Sequence, residues 1–190
     1  FTSSASEANN TALLGVVESY PKRNKKIVTT KLEHSSVLET VSYLEKKGYE
    51  VGYVKILKNG QVDLDDLQRL LKEDPVLVSI GWINSEVGII QDMKAITNLV
   101  KQYPKTLLHV DGTQIVGKVP ITLDGIDLFS CSAHKFFGLK GIGCLIKKEK
   151  VELEPLIHGG KSQTIYRSGT PALALIVSFA KALRLALTDL

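Results

Sequence analysis

Short runs of β-branched and aliphatic residues alternate along the chain with segments whose apolar positions recur every three to four residues. Lys26-Ile27-Val28-Thr29-Thr30-Lys31 reads as a strand. The segment after it places Val37, Val41 and Leu44 on one helical face, with Ser36 and Glu39 spaced as a capping box. Val51 to Ile56 is a second strand, and Asn59-Gly60 a turn. Asp63 then caps a helix that buries Leu64, Leu67, Leu70 and Leu71. Pro75 to Trp82 is a strand, and Asp92 opens a helix with Met93, Ile96 and Val100 inward. Thr106 to Val110, Ile126 to Ser130 and Gly143 to Lys147 read as further strands. Leu173, Ile176, Phe179, Ala180, Leu183 and Leu187 give a last amphipathic helix. Near-continuous apolar strands alternating with helices predict an α/β fold, with a mostly parallel sheet and helices on both faces.

Composition narrows the class without naming a function. The 190 residues suit one domain, and 44% hydrophobic with 23% charged residues is an ordinary globular mixture. This excludes a disordered tail, a collagen-like repeat and a disulfide-dense miniprotein. No apolar stretch approaches the roughly 20 residues that span a bilayer, so no membrane partner is expected. No basic segment with an apolar core opens the chain as a secretory signal would. The net charge of +4 is mild, and Lys22-Arg23-Asn24-Lys25-Lys26 reads as a solvated turn, so direct nucleic-acid binding is not expected. Two cysteines, Cys131 and Cys144, demand no disulfide framework and favour a reducing, cytoplasmic setting. Both read as buried packing residues. The chain opens at Phe1 without Met and closes inside a helical pattern, which reads as a piece of a longer protein.

In open α/β sheets ligands bind just beyond the carboxyl ends of the strands. Polar and titratable residues gather there. Glu33-His34-Ser35-Ser36 follows the first strand, and Asn84-Ser85-Glu86 follows the third. Asp111-Gly112-Thr113-Gln114 and Ser132-Ala133-His134-Lys135 follow the next two. Taken singly, each has an ordinary structural use: a loop lysine, a turn aspartate, a capping serine. Taken together they offer an amine for an aldehyde, a carboxylate for a protonated ring nitrogen and an imidazole for a flat ring. The hydroxyl-bearing helix start around Ala5 and Ser6, with Ser4 and Glu7 spaced as a capping box, offers an anion site. Phosphate, aldehyde, pyridine nitrogen and flat ring describe pyridoxal 5′-phosphate.

The sequence resembles the cysteine desulfurases of the class V aminotransferase group over essentially its whole length. Phe1-Thr2-Ser3-Ser4-Ala5-Ser6-Glu7-Ala8-Asn9-Asn10 is similar to that family's FTSGATEANN, and Glu33-His34-Ser35-Ser36-Val37-Leu38 to its EHxAVL. His109-Val110-Asp111-Gly112-Thr113-Gln114 is similar to HVDGxQ. Ser132-Ala133-His134-Lys135 with Gly138, Lys140 and Gly141 resembles the cofactor-lysine motif. His158-Gly159-Gly160 and Arg167-Ser168-Gly169-Thr170 resemble HGG and RSGT. Several stretches depart from the pattern. Ser4 and Ser6 replace a glycine and a threonine, Leu139 replaces a proline, and Asn84-Ser85-Glu86 replaces Asn-Asn-Glu. The GGGQE stretch is also altered, to Gly159-Gly160-Lys161-Ser162-Gln163.

The resemblance implies the fold type I large domain of a pyridoxal-phosphate enzyme over residues 1–190, with the family's N-terminal arm and small domain absent. It implies that Lys135 holds the cofactor as a Schiff base and shuttles the substrate's α-proton. Asp111 would pair with the pyridine nitrogen, and His34 would stack on the ring and assist proton transfer. Gln114, and Ser85 in place of the family's asparagine, would contact the ring oxygen. Ala5, Ser6, Ser132 and His134 would hold the phosphate. Thr170 would reach the phosphate of the other subunit of a homodimer. The implied activity converts L-cysteine to L-alanine with persulfide transfer to a sulfur acceptor or scaffold, for iron–sulfur clusters or tRNA thiolation. The sulfur-accepting cysteine and the substrate-binding arginine of that family have no counterpart in this chain. A selenocysteine lyase, another class V lyase or aminotransferase, or a non-catalytic partner-binding fragment are the alternatives.

Overall fold

The computed structural model describes residues 1–161, 163–188 and 190, so the altered position Ser162 lies outside the described residues. The elements run α1 (Ala5–Ser19), β1 (Lys26–Thr30), α2 (Ser35–Lys46), β2 (Glu50–Val54), α3 (Leu64–Leu71) and β3 (Leu77–Gly81). Then come α4 (Met93–Val100), β4 (Leu107–Asp111), β5 (Leu128–Ser132), a 3₁₀ turn over Ala133–Phe136, β6 (Gly143–Lys147) and α5 (Leu173–Thr188). The six strands form one sheet in the order β2-β1-β3-β4-β5-β6. The first five are parallel, and β6 runs antiparallel to β5. The reason is connection length. The stretch from Ala133 to Ile142 is shorter than the dozen or so residues a parallel crossover needs, so the chain must turn back.

Both sheet faces are covered, which is why the strands read as unbroken apolar runs. Neighbouring residues take opposite faces. Ile27, Leu77, Leu107 and Leu128 pack against α1 and α2 through Leu13, Val16, Val37, Val41 and Leu44. Val28, Val78, Leu108 and Phe129 pack on the other side against Leu67, Leu70 and Leu71 of α3 and Met93, Ile96 and Val100 of α4.

Helix starts follow their sequence signals with one correction. Asp63 and Asp92 cap α3 and α4 through their carboxylates. Ser4 caps α1 by accepting from the Glu7 N–H, while the Glu7 carboxylate accepts from the Ser3 N–H at 2.8 Å. At α2, however, the cap is His34, whose Nδ1 accepts from the Ser36 N–H, and not Ser36 with Glu39. Ser36 is needed elsewhere, because its Oγ accepts from Asn9 Nδ2 at 2.9 Å.

Three other expectations change: Leu64, expected on the buried face of α3, is exposed at its first turn. Lys26 is not a solvated turn residue. It lies buried in β1 and pairs with Glu50 and Glu73, while its neighbour Arg23 donates to the Lys105 carbonyl. α5 is less buried than its pattern predicts. Phe179 is its buried residue among those described, stacked edge-on against Phe1 and Phe136, and Leu173, Ala180 and Leu187 face outward. The helix packs on the 3₁₀ turn and has no second layer over it within the described residues.

Candidate active site

Strand order reverses between β1 and β3: β2 lies on one side of β1 and the remaining strands on the other. Such a switch point opens a crevice at the carboxyl edge. The β1–β3 ladder accordingly holds only at Ile27↔Leu77 and Val28↔Val78. Beyond it lies a cavity of about 400 Å³ walled by the carboxyl ends of β1, β3, β4 and β5 and by the start of α1.

Asp111 ends β4 and is 8% exposed. Its Oδ2 accepts from Asn9 Nδ2 at 2.8 Å and its Oδ1 from the Thr113 N–H at 2.9 Å. Asn9 therefore pins α1 to the carboxylate across 102 residues of sequence. The turn after Asp111 requires Gly112, since a Cβ there would lie 1.8 Å from the Phe129 ring. Two residues before Asp111, His109 spans three strands, with Nδ1 2.8 Å from Ser79 Oγ and Nε2 2.9 Å from Ser130 Oγ. Full burial pushes its imidazole down to about 4 against the pull of the Asp111 charge. It is a neutral strut.

Ser132 ends β5 and sits 3.0 Å from His134 Nδ1. Burial first, and then the Lys135 and Lys140 charges, lower the His134 imidazole. Lys135 is half-buried on the 3₁₀ turn and lines the cavity. Across from it, Gln114 Oε1 accepts from Lys118 Nζ at 3.0 Å, which leaves the Gln114 amide NH₂ as its donor. His34 stands exposed at the cavity edge. Because its Nδ1 accepts from a backbone N–H, the neutral ring carries its proton on Nε2. Ala5 and Ser6 form the first turn of a 15-residue helix whose leading N–H groups face the same space. Gly143 makes that approach possible, since a Cβ on it would stand 2.5 Å from the Ser4 carbonyl carbon.

Nine of the ten sequence-nominated residues line this one cavity: Ala5, Ser6, His34, Ser85, Asp111, Gln114, Ser132, His134 and Lys135. Thr170 does not; it lies exposed ahead of α5. Asn84, beside Ser85, is occupied in shaping its loop. Its Nδ2 donates to the Leu32 carbonyl at 2.6 Å, and its Oδ1 accepts from the N–H groups of Glu86 and Val87. Arg167, from the RSGT-like segment, donates to Glu7 at 3.0 Å and so ties that segment to α1. Burial would raise the Glu7 carboxyl, and the hydrogen bonds from Arg167 and Ser3 outweigh it and hold the group below its ordinary value.

Two cavity residues escape sequence reasoning. Asn9 is one, because only the fold reveals its partner. Glu33 is the other. Its carboxyl is buried at the β1–β3 split, accepting from Thr30 Oγ1 and from the Gly81 N–H, both at 2.7 Å. Burial and the nearby Asp111 raise it to about 8, over the opposing effect of those hydrogen bonds. A carboxylate three residues after a buried strand and directly before His34 was the available signal.

The donor set has the chemistry that pyridoxal phosphate requires. It comprises a primary amine, a buried carboxylate, an imidazole with a free face, and helix N–H groups beside hydroxyls. Among the described residues, Thr113 Oγ1 is a buried hydroxyl without a protein partner on the same cavity wall.

Comparison with known proteins agrees. The aminotransferase class-V family model matches residues 1–189. A cysteine desulfurase IscS from Dictyoglomus turgidum is 40% identical over all of this chain and 48% of its own length. One from Buchnera aphidicola is 46% identical over 98% of this chain and 47% of its own. The chain thus spans about half the length of the curated relatives it matches. A solved NifS-like protein superposes with a TM-score of 0.96 at 43% identity, covering 99% of this chain and 52% of that one. DndA from Streptomyces lividans gives 0.91 at 34% identity, covering 99% and 55%. With most of the family-like motifs gathered around one cavity on the same fold, the chain belongs to the class-V aminotransferases, a family of pyridoxal-phosphate-dependent enzymes.

Proposed function

We propose that this chain is the cofactor-binding large domain of a cysteine desulfurase, which converts L-cysteine to L-alanine and passes the sulfur on as a persulfide. One observation carries the reading. His34, Lys135 and the pair Asp111 and Gln114 come from three separate segments and line one cavity at the strand-order switch.

Pyridoxal phosphate, when bound, supplies an aldehyde for amines and a ring that draws electron density from the substrate's Cα. The remaining work belongs to the chain. Lys135 Nζ would hold the group through its aldehyde, and its free amine would take and return the substrate's α-proton. Asp111, held by Asn9 and Thr113, would keep a proton on the ring nitrogen. His34 offers its ring face for stacking and its Nε2–H for proton transfer. Gln114 donates its amide NH₂ to the ring oxygen, with Ser85 as the shorter replacement for a second donor. The N–H groups at Ala5 and Ser6, with Ser132 and His134, hold the phosphate at the helix N-terminus.

Cys131 and Cys144 lie outside the cavity lining, so neither takes the role of sulfur acceptor. The whole protein acts as a homodimer in which Thr170, exposed here, reaches the partner's phosphate. It donates sulfur to an acceptor or scaffold protein and works in the cytoplasm. No helix of the described residues is long and apolar enough to cross a membrane.

The test is to incubate the chain with pyridoxal phosphate, reduce with borohydride, and map the modified peptide by mass spectrometry. A single adduct on Lys135, abolished in Lys135→Ala, is the expected result. Adducts scattered over surface lysines would overturn the site and favour an inert or partner-binding fragment.

A further inference from the structure

Cys131 and Cys144 are paired residues on the β5–β6 ladder. Their rung is a hydrogen-bonded one. Antiparallel rungs alternate, and the Ala133 N–H to Ile142 carbonyl bond (3.1 Å) and the Lys148 N–H to Asp127 carbonyl bond (2.9 Å) fix the phase. Such a rung sets the two Cα atoms about 5.5 Å apart, within the roughly 4.4–6.8 Å that a disulfide spans. Directly opposite residues also share a sheet face, and both side chains lie on the α5 side, where Cys131 is buried and Cys144 half-buried.

From this juxtaposition we propose that Cys131 and Cys144 form a reversible disulfide across β5 and β6, a redox-modification site separate from the cofactor cavity. The accessible thiol is also the more acidic. The Cys131 thiol beside it favours the Cys144 thiolate, whereas the Cys131 thiol is raised by its Cys144 neighbour and by burial. Cys144 is therefore the attacking group. With oxidised glutathione as the oxidant, its thiolate attacks one glutathione sulfur, the S–S bond breaks, and one glutathione leaves as thiolate. Cys131 then releases its proton to solvent and attacks Cys144 Sγ, expelling the second glutathione. Two protein thiols lose two electrons, and one small disulfide becomes two thiols.

The rung's position gives the bond a consequence. The next rung is Ser132↔Gly143. Ser132 lines the cofactor cavity, and Gly143 bonds to Thr2 in both directions and supports the start of α1. A disulfide would fix the strand spacing one residue from the phosphate cradle.

The experiment treats the reduced chain with oxidised glutathione, alkylates under denaturing conditions, and measures intact and peptide masses. The expected species has lost two hydrogens, carries no alkyl group, and yields a Cys131–Cys144 crosslinked peptide that dithiothreitol reverses. Cys131→Ser is expected to retain a stable glutathione on Cys144. Two alkylatable thiols in the oxidised wild-type sample, stable glutathione on either cysteine, or disulfides only between molecules would overturn the proposal.

Discussion

Asp111 shows how a residue acquires chemistry from its surroundings. In sequence it is an aspartate before a glycine, as any turn supplies. In the fold it is a buried carboxylate with two N–H donors, one from a side chain 102 residues away. Asn9 does this at some cost, because its own Oδ1 is buried without a partner among the described residues. Asn9→Ala therefore removes a hydrogen bond to a buried carboxyl, and we expect stability to fall by about 1–3 kcal/mol. Urea denaturation of the two proteins measures it; equal midpoints would show that the Thr113 N–H and water suffice. The nominated lysine, histidines and glutamine were legible because their types fit one chemistry. Asn9 and Glu33 were not, because their value lies in which atoms they meet, and a linear pattern does not record that.

At the scale of elements, the strands were legible in order and kind, and their ends were not. β5 begins at Leu128 and ends at Ser132, two residues beyond the expected Ile126–Ser130, and this places Ser132 at the cavity edge. β6 turned antiparallel because its connection is short, which an apolar run cannot reveal. The β1–β3 split is likewise a topological property, and Glu33 fills it. That placement has a pH signature. An unfolded glutamate titrates near 4.5, and the folded one near 8. Between those values the folded chain keeps a proton that the unfolded chain releases, so this group's contribution to stability declines as pH rises. His109 slopes the other way, held near 4 against 6.5 when free, so its contribution rises over that lower range. The two oppose each other below pH 6.5. The net decline is therefore concentrated between pH 6.5 and 8, and Glu33→Gln should flatten it. Urea midpoints at the two ends of that window read the difference, and a slope unchanged in the variant would count against the assignment. A second element-scale prediction concerns the contact of β6 with α1. Gly143→Ala forces the Ser4–Ala5 backbone to move, and we expect a loss of about 1–3 kcal/mol from overpacking. Thermal unfolding measures that loss, and an unchanged Tm would mean that the helix start shifts freely.

Over the whole molecule, the discrepancy at α5 is informative. Its periodicity predicts a helix with one stripe fully inward, yet Phe179, edge-on against Phe1 and Phe136, is its one buried side chain among the described residues, while Leu175, Ile176, Ala182, Leu183 and Ala186 are only partly covered. Leu173 stays 71% exposed and Val177 60% exposed, one turn apart on the same side. Phe137, two residues after Lys135, is 99% exposed and holds a left-handed backbone, with φ at 65°. A bulky residue in that conformation is uncommon. An apolar side chain standing wholly in water beside Lys135 is the kind of surface that soluble proteins cover. The homodimer in the proposed function requires such a surface close to the cavity. The chain should therefore self-associate as its concentration rises, visible as an increasing weight-average mass in sedimentation equilibrium. Val177→Lys with Phe137→Asp should shift the distribution toward monomer while leaving the far-ultraviolet circular dichroism unchanged. If the double variant associates as strongly as the wild-type chain, these residues do not form the contact, and the dimer must be built on another face.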